Sequence, residues 1–216
     1  FTWSVGGSLV HNKNKILRIS NSLEFLNEEL IAESGSNPSF LYEEGKSMNT
    51  IYVVRSLGID PATGREIFLD KEGQRTYDWE ASDKVACGVN EPKVWGNLNT
   101  MFRWKNLTLN AVFSYRAGGK AYNQTLVDKV ENISKSSTYN NPWRNLDRRA
   151  LYDRWQKAGD NTYFKDIKDF NTTYASSRFV MKENTFKLNS LNLTYDFDTE
   201  WLQRNAGIDY LSVGLY

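Results

Sequence analysis

The sequence has few of the residue types on which disulfide-rich proteins, histidine-dependent enzymes and nucleic-acid-binding proteins depend. Among its 216 residues there is one cysteine, Cys87, so an internal disulfide is excluded, and one histidine, His11, which leaves little for a histidine-rich metal site. Lysine and arginine number 27 against 26 aspartate and glutamate residues, and the resulting net charge of +1 gives no electrostatic reason to bind a polyanion.

Long apolar runs are also missing. No stretch approaches the length of a membrane-spanning helix, and Phe1 is followed by neither a basic nor an apolar leader, so we expect no such helix and no intact signal peptide. The negative mean hydropathy of −0.60 does not exclude a membrane β-barrel, because strands that alternate lipid-facing and lumen-facing residues are polar on average.

Aromatic residues are abundant, and the clearest pattern among them is a β-hairpin from Val94 to Arg116 with the two-residue turn Lys105-Asn106. Asn106 is expected to take the left-handed conformation that such turns need. Pairing across this turn puts apolar side chains on one face and mostly hydrophilic ones on the other. The apolar face pairs Trp104, Phe102, Thr100, Leu98 and Gly96 with Leu107, Leu109, Ala111, Phe113 and Tyr115. A slip of one residue would exchange the two faces, so the pattern predicts the register.

The same two-residue period predicts strands in Phe1–Asn12, Phe186–Phe197 and Leu211–Leu215, which makes five in total. The link between the last two is short and predicts one helical turn, capped by Thr199 and ended by Gly207. By contrast, about 80 residues separate the first strand from the second, and about 70 separate the third from the fourth.

In an up-and-down order, both long connections lie on one side of the sheet and both short ones on the other. Outer-membrane barrels have this asymmetry, with short periplasmic turns and long extracellular loops. Five strands cannot close a barrel, since the smallest of them use about eight. The sequence therefore predicts an all-β, antiparallel transmembrane β-barrel segment that belongs to a larger barrel.

The long connections contain local signals of their own. Ser22–Ile31 is an acidic amphipathic stretch, Gly58–Gly64 and Asp70–Gly73 are typical of turns, and Asn145–Gly159 has apolar residues at helical spacing. Aromatic side chains in the second connection could stack on a substrate or grip a partner, although packing of the loop against itself is the interpretation that we favour. The residues that we single out for such contacts are Tyr139, Trp143, Trp155 and Tyr163.

Enzyme and metal chemistry find little support in the sequence. Cys87 and His11 lie in different predicted elements without a motif around either, and the acidic residues lack the spacing of a calcium loop. We therefore predict no catalytic residue, no metal ligand and no cofactor. Two alternatives stay open at this point: a soluble β-sandwich module that binds carbohydrate, and a β-rich glycoside hydrolase with paired carboxylates.

Several short motifs, in their order along the chain, resemble the SusC/RagA-like TonB-dependent outer-membrane transporters of Bacteroidota in the late part of their barrel. They are His11–Lys15, Gly58–Gly64, Phe113–Gly119 with Ala121-Tyr122-Asn123, Leu151–Trp155, Ser177–Val180 and Leu188–Phe197. Each motif is weak alone, and their combined order and spacing carry the resemblance.

This resemblance implies a 22-stranded barrel with a plug, capped outside by a SusD-like lipoprotein and driven through TonB, that imports oligosaccharides or peptides. Residues 1–216 would form part of the barrel domain in the outer membrane, with the plug, the TonB-contacting segment and the final strands outside this stretch. We therefore expect a segment of a longer polypeptide that contacts outer-membrane lipid and no nucleic acid.

Overall fold

The computed structural model describes residues 1–133 and 147–216, which form two compact units. The first, which we call the sheet unit, comprises Phe1–Lys13, Pro92–Gly119 and Glu183–Tyr216. The second, the loop unit, comprises Asn14–Glu91 and Lys120–Lys182 and so collects most of the two long connections. No helix in the described ranges is long and apolar enough to cross a membrane.

The sheet unit contains one five-stranded sheet made of the five strands that the sequence predicts. They are β1 (Thr2–His11), β6 (Val94–Trp104), β7 (Leu107–Tyr122), β8 (Val180–Asp196) and β9 (Ser212–Leu215), in that order across the sheet. The pairs β1–β6, β6–β7 and β8–β9 are antiparallel. The alternating pattern therefore predicted the strands of this sheet, and β7 and β8 are longer than expected.

The hairpin register is confirmed over its whole length. It runs from Trp104 opposite Leu107, through Leu98 opposite Phe113, to one pair beyond the predicted end. The turn geometry was predicted wrongly in one respect, because the residue with positive φ is Lys105, at 53°, and not Asn106. Lys105 occupies the first central position of the turn, where both types of tight hairpin turn require a positive φ.

Strand β1 extends the apolar face of the hairpin. Trp3 lies opposite Phe102 and Leu9 lies opposite Gly96, so the odd-numbered residues of β1 share the face of the even-numbered residues of β6. Gly96 is required by close approach, since a Cβ at this position would lie 1.9 Å from the backbone oxygen of Ser8. The Tyr115 hydroxyl would lie 2.8 Å from the same Cβ, and it donates to the Ser8 backbone oxygen at 2.9 Å.

A helix, α4 (Thr199–Ala206), connects β8 to β9 as expected. Its N-cap is Asp198, whose carboxylate accepts from two backbone N–H groups of the first turn, so the prediction of Thr199 as the cap was wrong by one residue. Gly207 ends the helix in the left-handed conformation, with φ 65°.

The loop unit holds a second sheet that the sequence analysis did not predict. Its strands are β2 (Thr50–Ile59), β3 (Glu66–Leu69), β4 (Arg75–Thr76) and β5 (Lys84–Val89), in the order β4-β3-β2-β5. The two predicted turns connect β2 to β3 and β3 to β4, and helix α1 (Asn21–Ala32) matches the amphipathic stretch. The first half of β2 is buried on both faces, so it shows no alternation by which it could be recognised.

Short helical segments complete the loop unit: α2 (Gln124–Leu126), which continues into a π-helical turn (Val127–Glu131), α3 (Arg149–Tyr152), and two 3-10 turns (Ala81–Asp83 and Ser177–Phe179). The helix expected up to Gly159 stops at Tyr152. It cannot continue because the next turn forms a parallel bridge between Arg154 and Phe164, with the Arg154 side chain buried.

Candidate functional site

The apolar face of the five-stranded sheet is a candidate contact surface of the sheet unit. Leu98 and Phe102 are 37% and 39% exposed, Trp3 is more exposed still, and Phe186 of β8 stacks on Phe113 with ring centroids 5.1 Å apart. Both clusters of buried apolar residues found in the described ranges consist of loop-unit residues. The sheet thus presents an apolar face with no buried cluster of its own, a feature that marks an interaction surface.

The opposite face of the same sheet is polar. Asn97 and Asn99 of β6 are exposed, and Ser114 of β7 donates from its hydroxyl to the Asn189 side-chain oxygen at 3.0 Å. Neighbouring residues along a strand point to opposite faces, so one side of the sheet suits hydrocarbon and the other suits water. This is the division of faces that the sequence predicted.

The loop unit has a buried cluster of charges centred on Arg178. Its Nη2 lies 2.6 Å from Glu66 of β3 and 2.6 Å from Glu131, and the three side chains are 3%, 5% and 0% exposed. The Glu66 carboxylate also accepts from the Ser176 hydroxyl at 2.7 Å, and that of Glu131 accepts from Thr173 at 3.2 Å. One guanidinium therefore ties a strand of the first long connection to a turn of the second.

The electrostatic balance of this cluster favours the charged arginine. Burial alone would lower the pKa of Arg178, but the two carboxylates of Glu66 and Glu131 outweigh burial and raise it. The guanidinium also lies over the Phe179 ring, 4.4 Å from its centroid, and donates to the Tyr163 carbonyl at 2.6 Å. The position of the Arg178 guanidinium is therefore fixed by two carboxylates, an aromatic ring and a backbone carbonyl.

A second buried arginine, Arg154, binds backbone instead of carboxylates. Its guanidinium donates to the carbonyl oxygens of Ala150 at 2.8 Å, Glu131 at 2.7 Å and Lys165 at 3.3 Å, and also to that of Val130. Burial lowers the pKa of Arg154. These bonds close the end of α3 and the π-helical turn, so both arginines serve to hold the loop unit together.

Two of the four predicted contact residues lie in the described ranges. The Trp155 indole N–H donates to the Pro61 carbonyl at 2.8 Å, and its ring covers the turn so closely that a Cβ on Gly64 would lie 2.6 Å from it. Trp155 is half-buried and fixes the Gly58–Gly64 turn against the second connection. Tyr139 and Trp143 lie outside the described residues, and their contact role stays a prediction.

Tyr163 is fixed by its neighbours as well. Its hydroxyl donates to the Arg178 carbonyl, and its ring meets those of Phe164 and Phe179 edge-to-face at 5.0 and 6.1 Å. Burial raises the pKa of Tyr163, while 38% of the residue stays exposed. The bridge between Arg154 and Phe164 joins the two segments that carry Trp155 and Tyr163, and the backbone N–H of Trp155 donates to the Phe164 carbonyl at 3.1 Å.

A groove of about 540 Å³ lies in the same part of the loop unit. Its apolar wall includes Leu151, Tyr152 and Phe170, all of them exposed. Ile133 and Asp147, the described residues on either side of positions 134–146, also line it. Two lining residues of the groove therefore flank, in the sequence, the segment that contains the predicted contact residues Tyr139 and Trp143.

The residues considered for catalysis each have a structural partner. The Cys87 thiol lies 3.7 Å from the Val53 carbonyl, and burial raises its pKa. His11 lies 2.6 Å from the Lys93 carbonyl through Nδ1. No group of three or more histidine, cysteine, aspartate or glutamate side chains in the described ranges is placed to hold a metal ion.

Comparison with known proteins gives a consistent picture. No protein-family profile matches the chain. In sequence it is 20% identical to the TonB-dependent receptor P3 of Formosa agariphila, over 95% of the chain and 21% of that receptor. In structure it is similar to the RagAB peptide transporter, with a TM-score of 0.69 and 20% identity over 99% of the chain and 24% of the matched one.

Two further RagAB structures agree. The peptide importer in its open-open state gives a TM-score of 0.65, and in its closed-closed state 0.63, both at 18% identity and over 99% of the chain. The chain spans about a quarter or less of the length of these relatives. The resemblance to SusC/RagA-like TonB-dependent transporters is confirmed in sequence and in fold.

Proposed function

We propose that the chain forms part of the wall of a TonB-dependent importer in the outer membrane, and that the apolar face of its five-stranded sheet contacts lipid. The observation that carries this proposal is the division of that sheet into an apolar and a polar face, with no buried apolar cluster on either. The fold likeness to the RagAB transporter and the sequence likeness to a TonB-dependent receptor support it. The activity is transport and not catalysis.

The finer parts of the proposal follow the resemblance. The barrel would have 22 strands, of which this chain supplies about five, and TonB would act through a part of the polypeptide outside this stretch. A SusD-like lipoprotein would cover the extracellular side, and the cargo would be an oligosaccharide or a peptide. The RagAB structures, which are named as a peptide transporter and importer, support the peptide alternative.

The loop unit is the part that we assign to the outside of the cell. Both long connections leave the sheet at the ends opposite the Lys105-Asn106 turn, as long extracellular loops do in outer-membrane barrels. Within this unit Tyr139, Trp143, Trp155 and Tyr163 are the proposed contacts to substrate or to the lipoprotein. The exposed part of the Tyr163 ring and the groove beside Leu151 support a contact there.

A test of the lipid-facing surface can use two adjacent residues of β6. Leu98→Cys and Asn99→Cys, each in a Cys87→Ala background of the full-length protein, place a nitroxide label on opposite faces at nearly the same membrane depth. In lipid vesicles, the label at 98 should be accessible to oxygen, which concentrates in hydrocarbon, and the label at 99 to a water-soluble nickel chelate.

Equal accessibility of the two labels to the nickel chelate would contradict the proposal, because both faces would then be in water. The same result would favour the soluble β-sandwich module. The matched pair controls for the label itself, since the two sites differ by one residue in the same strand.

A further inference from the structure

Three positively charged side chains lie together at one end of the five-stranded sheet, and none of the roles above involves them. Lys93 directly precedes β6, Arg116 lies in β7 and Lys187 lies in β8, so three neighbouring strands contribute one cation each. All three belong to the sheet unit, in the half of the sheet remote from the Lys105-Asn106 turn. We call them the basic cluster.

Alternation along the strands places two members of the basic cluster on the polar face. Arg116 is two residues from Ser114, whose side chain lies on that face, and side chains two residues apart in a strand point the same way. Phe186 stacks on Phe113 on the apolar face, with ring centroids 5.1 Å apart. The next residue of β8, Lys187, therefore points to the polar face.

Arg116 and Lys187 are neighbours across β7 and β8. The Ser114 hydroxyl is hydrogen-bonded to the Asn189 side chain at 3.0 Å, and the two cations are each two residues from that pair. Glu183 lies 3.6 Å from Arg116, so residue numbers fall along β8 as they rise along β7 and both steps lead in the same direction. Neighbours of this kind on adjacent strands lie about 5–8 Å apart, within reach of one ligand group.

Gly118 makes room for the third cation. It is two residues beyond Arg116 in β7, and its φ of 82° lies in the left-handed region that favours glycine. A Cβ at this position would lie 3.0 to 3.1 Å from three carbons of the Lys93 side chain. The Lys93 side chain thus passes over the glycine, close to Arg116. This gives a physical role to the glycine that follows Arg116-Ala117 in the chain.

The charge of the basic cluster is only partly compensated. Glu183 pairs with Arg116 at 3.6 Å, and both side chains are partly exposed. Neither Lys93 nor Lys187 has an ion-pair partner in the described ranges, which leaves a net charge of +2. Like charges on neighbouring strands are destabilising, so an oppositely charged ligand would relieve a cost that this sheet bears.

The remaining carboxylates of the sheet unit lie at the other end of the sheet. The backbone N–H of Asp196, at the end of β8, donates to the Asn106 carbonyl at 2.9 Å, so the connection from β8 to β9 is beside the hairpin turn. That connection and the end of β8 carry Asp196, Asp198, Glu200 and Asp209. Acidic residues of this unit therefore do not cancel the positive potential at the basic cluster.

The side chains of the basic cluster are of the types that bind oxyanions. Arginine offers a planar fork of N–H donors that matches two oxygens of a carboxylate, sulfate or phosphate, and lysine adds a mobile point charge. A lipid head group is the wrong source, because Arg116 and Lys187 point away from the apolar face. A ligand that passes over the polar face fits their placement.

We propose that the basic cluster binds oxyanion groups of the cargo, so that the importer takes up molecules that carry carboxylate, sulfate or phosphate groups. Arg116 holds two oxygens of one such group, and Lys187 and Lys93 contact the same group or the next one along the cargo. As a property of the importer, this inference rests on the proposed function, whereas the binding itself does not.

The test uses the full-length protein in an uncharged detergent and two matched pairs of probes. One pair is hexagalacturonate and its methyl ester, and the other is a hexapeptide of alternating glycine and glutamate and its glutamine analogue. Calorimetry gives each Kd at two salt concentrations. We expect the charged member of at least one pair to bind at least tenfold more tightly than its neutral analogue, with a Kd that rises with salt.

Substitutions assign this preference to the basic cluster. Arg116→Gln and Lys187→Gln should each raise the Kd of the charged probe about fivefold, as expected for the loss of one partly exposed ion pair. Arg116→Lys keeps the charge and should keep most of the affinity. The matched control is Arg103→Gln, which removes the same charge from the same face about 26 Å away along the strands and should leave the Kd unchanged.

Three results would overturn the proposal. They are equal Kd values for charged and neutral probes, parental affinity in both glutamine variants of the cluster, and equal weakening by Arg103→Gln, which would indicate a response to overall charge. A preference confined to one pair of probes supports the proposal and identifies whether a sugar or a peptide carries the oxyanions.

Failure of the basic cluster and failure of the importer are distinguishable. The binding measurement involves no membrane transport, so its failure leaves the spin-label result on β6 unaffected. Conversely, oxyanion binding that depends on Arg116, combined with water on both faces of β6, would uphold the binding site and refute the barrel.

Discussion

Replacing Arg178 by methionine removes the shared partner of two buried carboxylates. Methionine keeps much of the volume and the contact with Phe179, while the carboxylates of Glu66 and Glu131 stay buried and lose the cation that binds both of them. Breaking a buried ion pair from one side costs about 3–5 kcal/mol, because a charge is left uncompensated. We expect the opening free energy of the loop unit to fall by that amount.

Amide hydrogen exchange of the full-length protein measures this effect locally. At about 1.4 kcal/mol for each factor of ten, protection of β3 and of the backbone around Glu131 should fall by roughly a hundredfold or more. The matched control is Arg65→Gln, which breaks an exposed ion pair of 3.8 Å in the same unit and should cost less than about 1 kcal/mol.

A triple variant separates lost charge compensation from lost packing. In Arg178→Met with Glu66→Gln and Glu131→Gln the buried charges are gone, while the glutamine oxygens can still accept from Ser176 and Thr173. The triple variant should regain most of the protection, because replacing every charged member of a buried ion cluster by uncharged residues often leaves the free energy of unfolding nearly unchanged. If Arg178→Met lowers protection no more than Arg65→Gln does, the cluster does not hold the two connections together and our interpretation is wrong.

Three further predictions concern other parts of the chain. Burial raises the pKa of the Cys87 thiol, so the pH at which its alkylation rate is half-maximal should lie above that of a free cysteine. A midpoint at or below that of a free cysteine would contradict this prediction. Gly96→Ala should weaken the pairing of β1 with β6 by about 1–3 kcal/mol, because the added Cβ would lie 1.9 Å from the facing carbonyl oxygen of Ser8, and heat-dependent gel mobility measures the loss. Gly7→Ala should weaken the pairing less, because its Cβ would lie 3.2 Å from the facing carbonyl oxygen of Asn97. In a Cys87→Ala background, an impermeant thiol reagent should label Glu72→Cys in intact cells, whereas it should label Asn106→Cys only after the outer membrane is breached. Labelling of Asn106→Cys in intact cells, with Glu72→Cys protected, would refute the proposed orientation.

The sequence predicted the sheet unit well because each of its strands has unlike faces. Trp3, Leu98 and Phe113 recur every second residue with polar neighbours, and such alternation defines both strand and register. It failed for β2, where Ile51 and Val53 are buried together with the residues between and beside them. A uniformly buried strand has no period, and a run of five residues cannot be distinguished from a loop segment or a helix by periodicity.

The buried charge cluster was missed for a different reason. Glu66 and Arg178 are 112 residues apart and Glu131 lies between them, so no local spacing connects the three. One signal was available, since Glu66 alternates in phase with the buried Phe68 in β3. A carboxylate at an inward position of a strand has to find a partner or lose its charge, and this requirement could have prompted a search for an arginine.

The two units differ in what stabilises them, and this difference supports the proposed role. The loop unit has buried apolar clusters around Val53 and Phe179 and an ion cluster at Arg178, so it can fold with water around it. The sheet unit leaves Leu98 and Phe102 substantially exposed, and each Å² of apolar surface kept in water forgoes about 25 cal/mol. A sheet of this kind is stable only where other apolar matter covers that face, and in an outer-membrane barrel the lipid supplies it. Substitutions on the apolar face should therefore act through the membrane environment, while those at Arg178 should act equally in its absence.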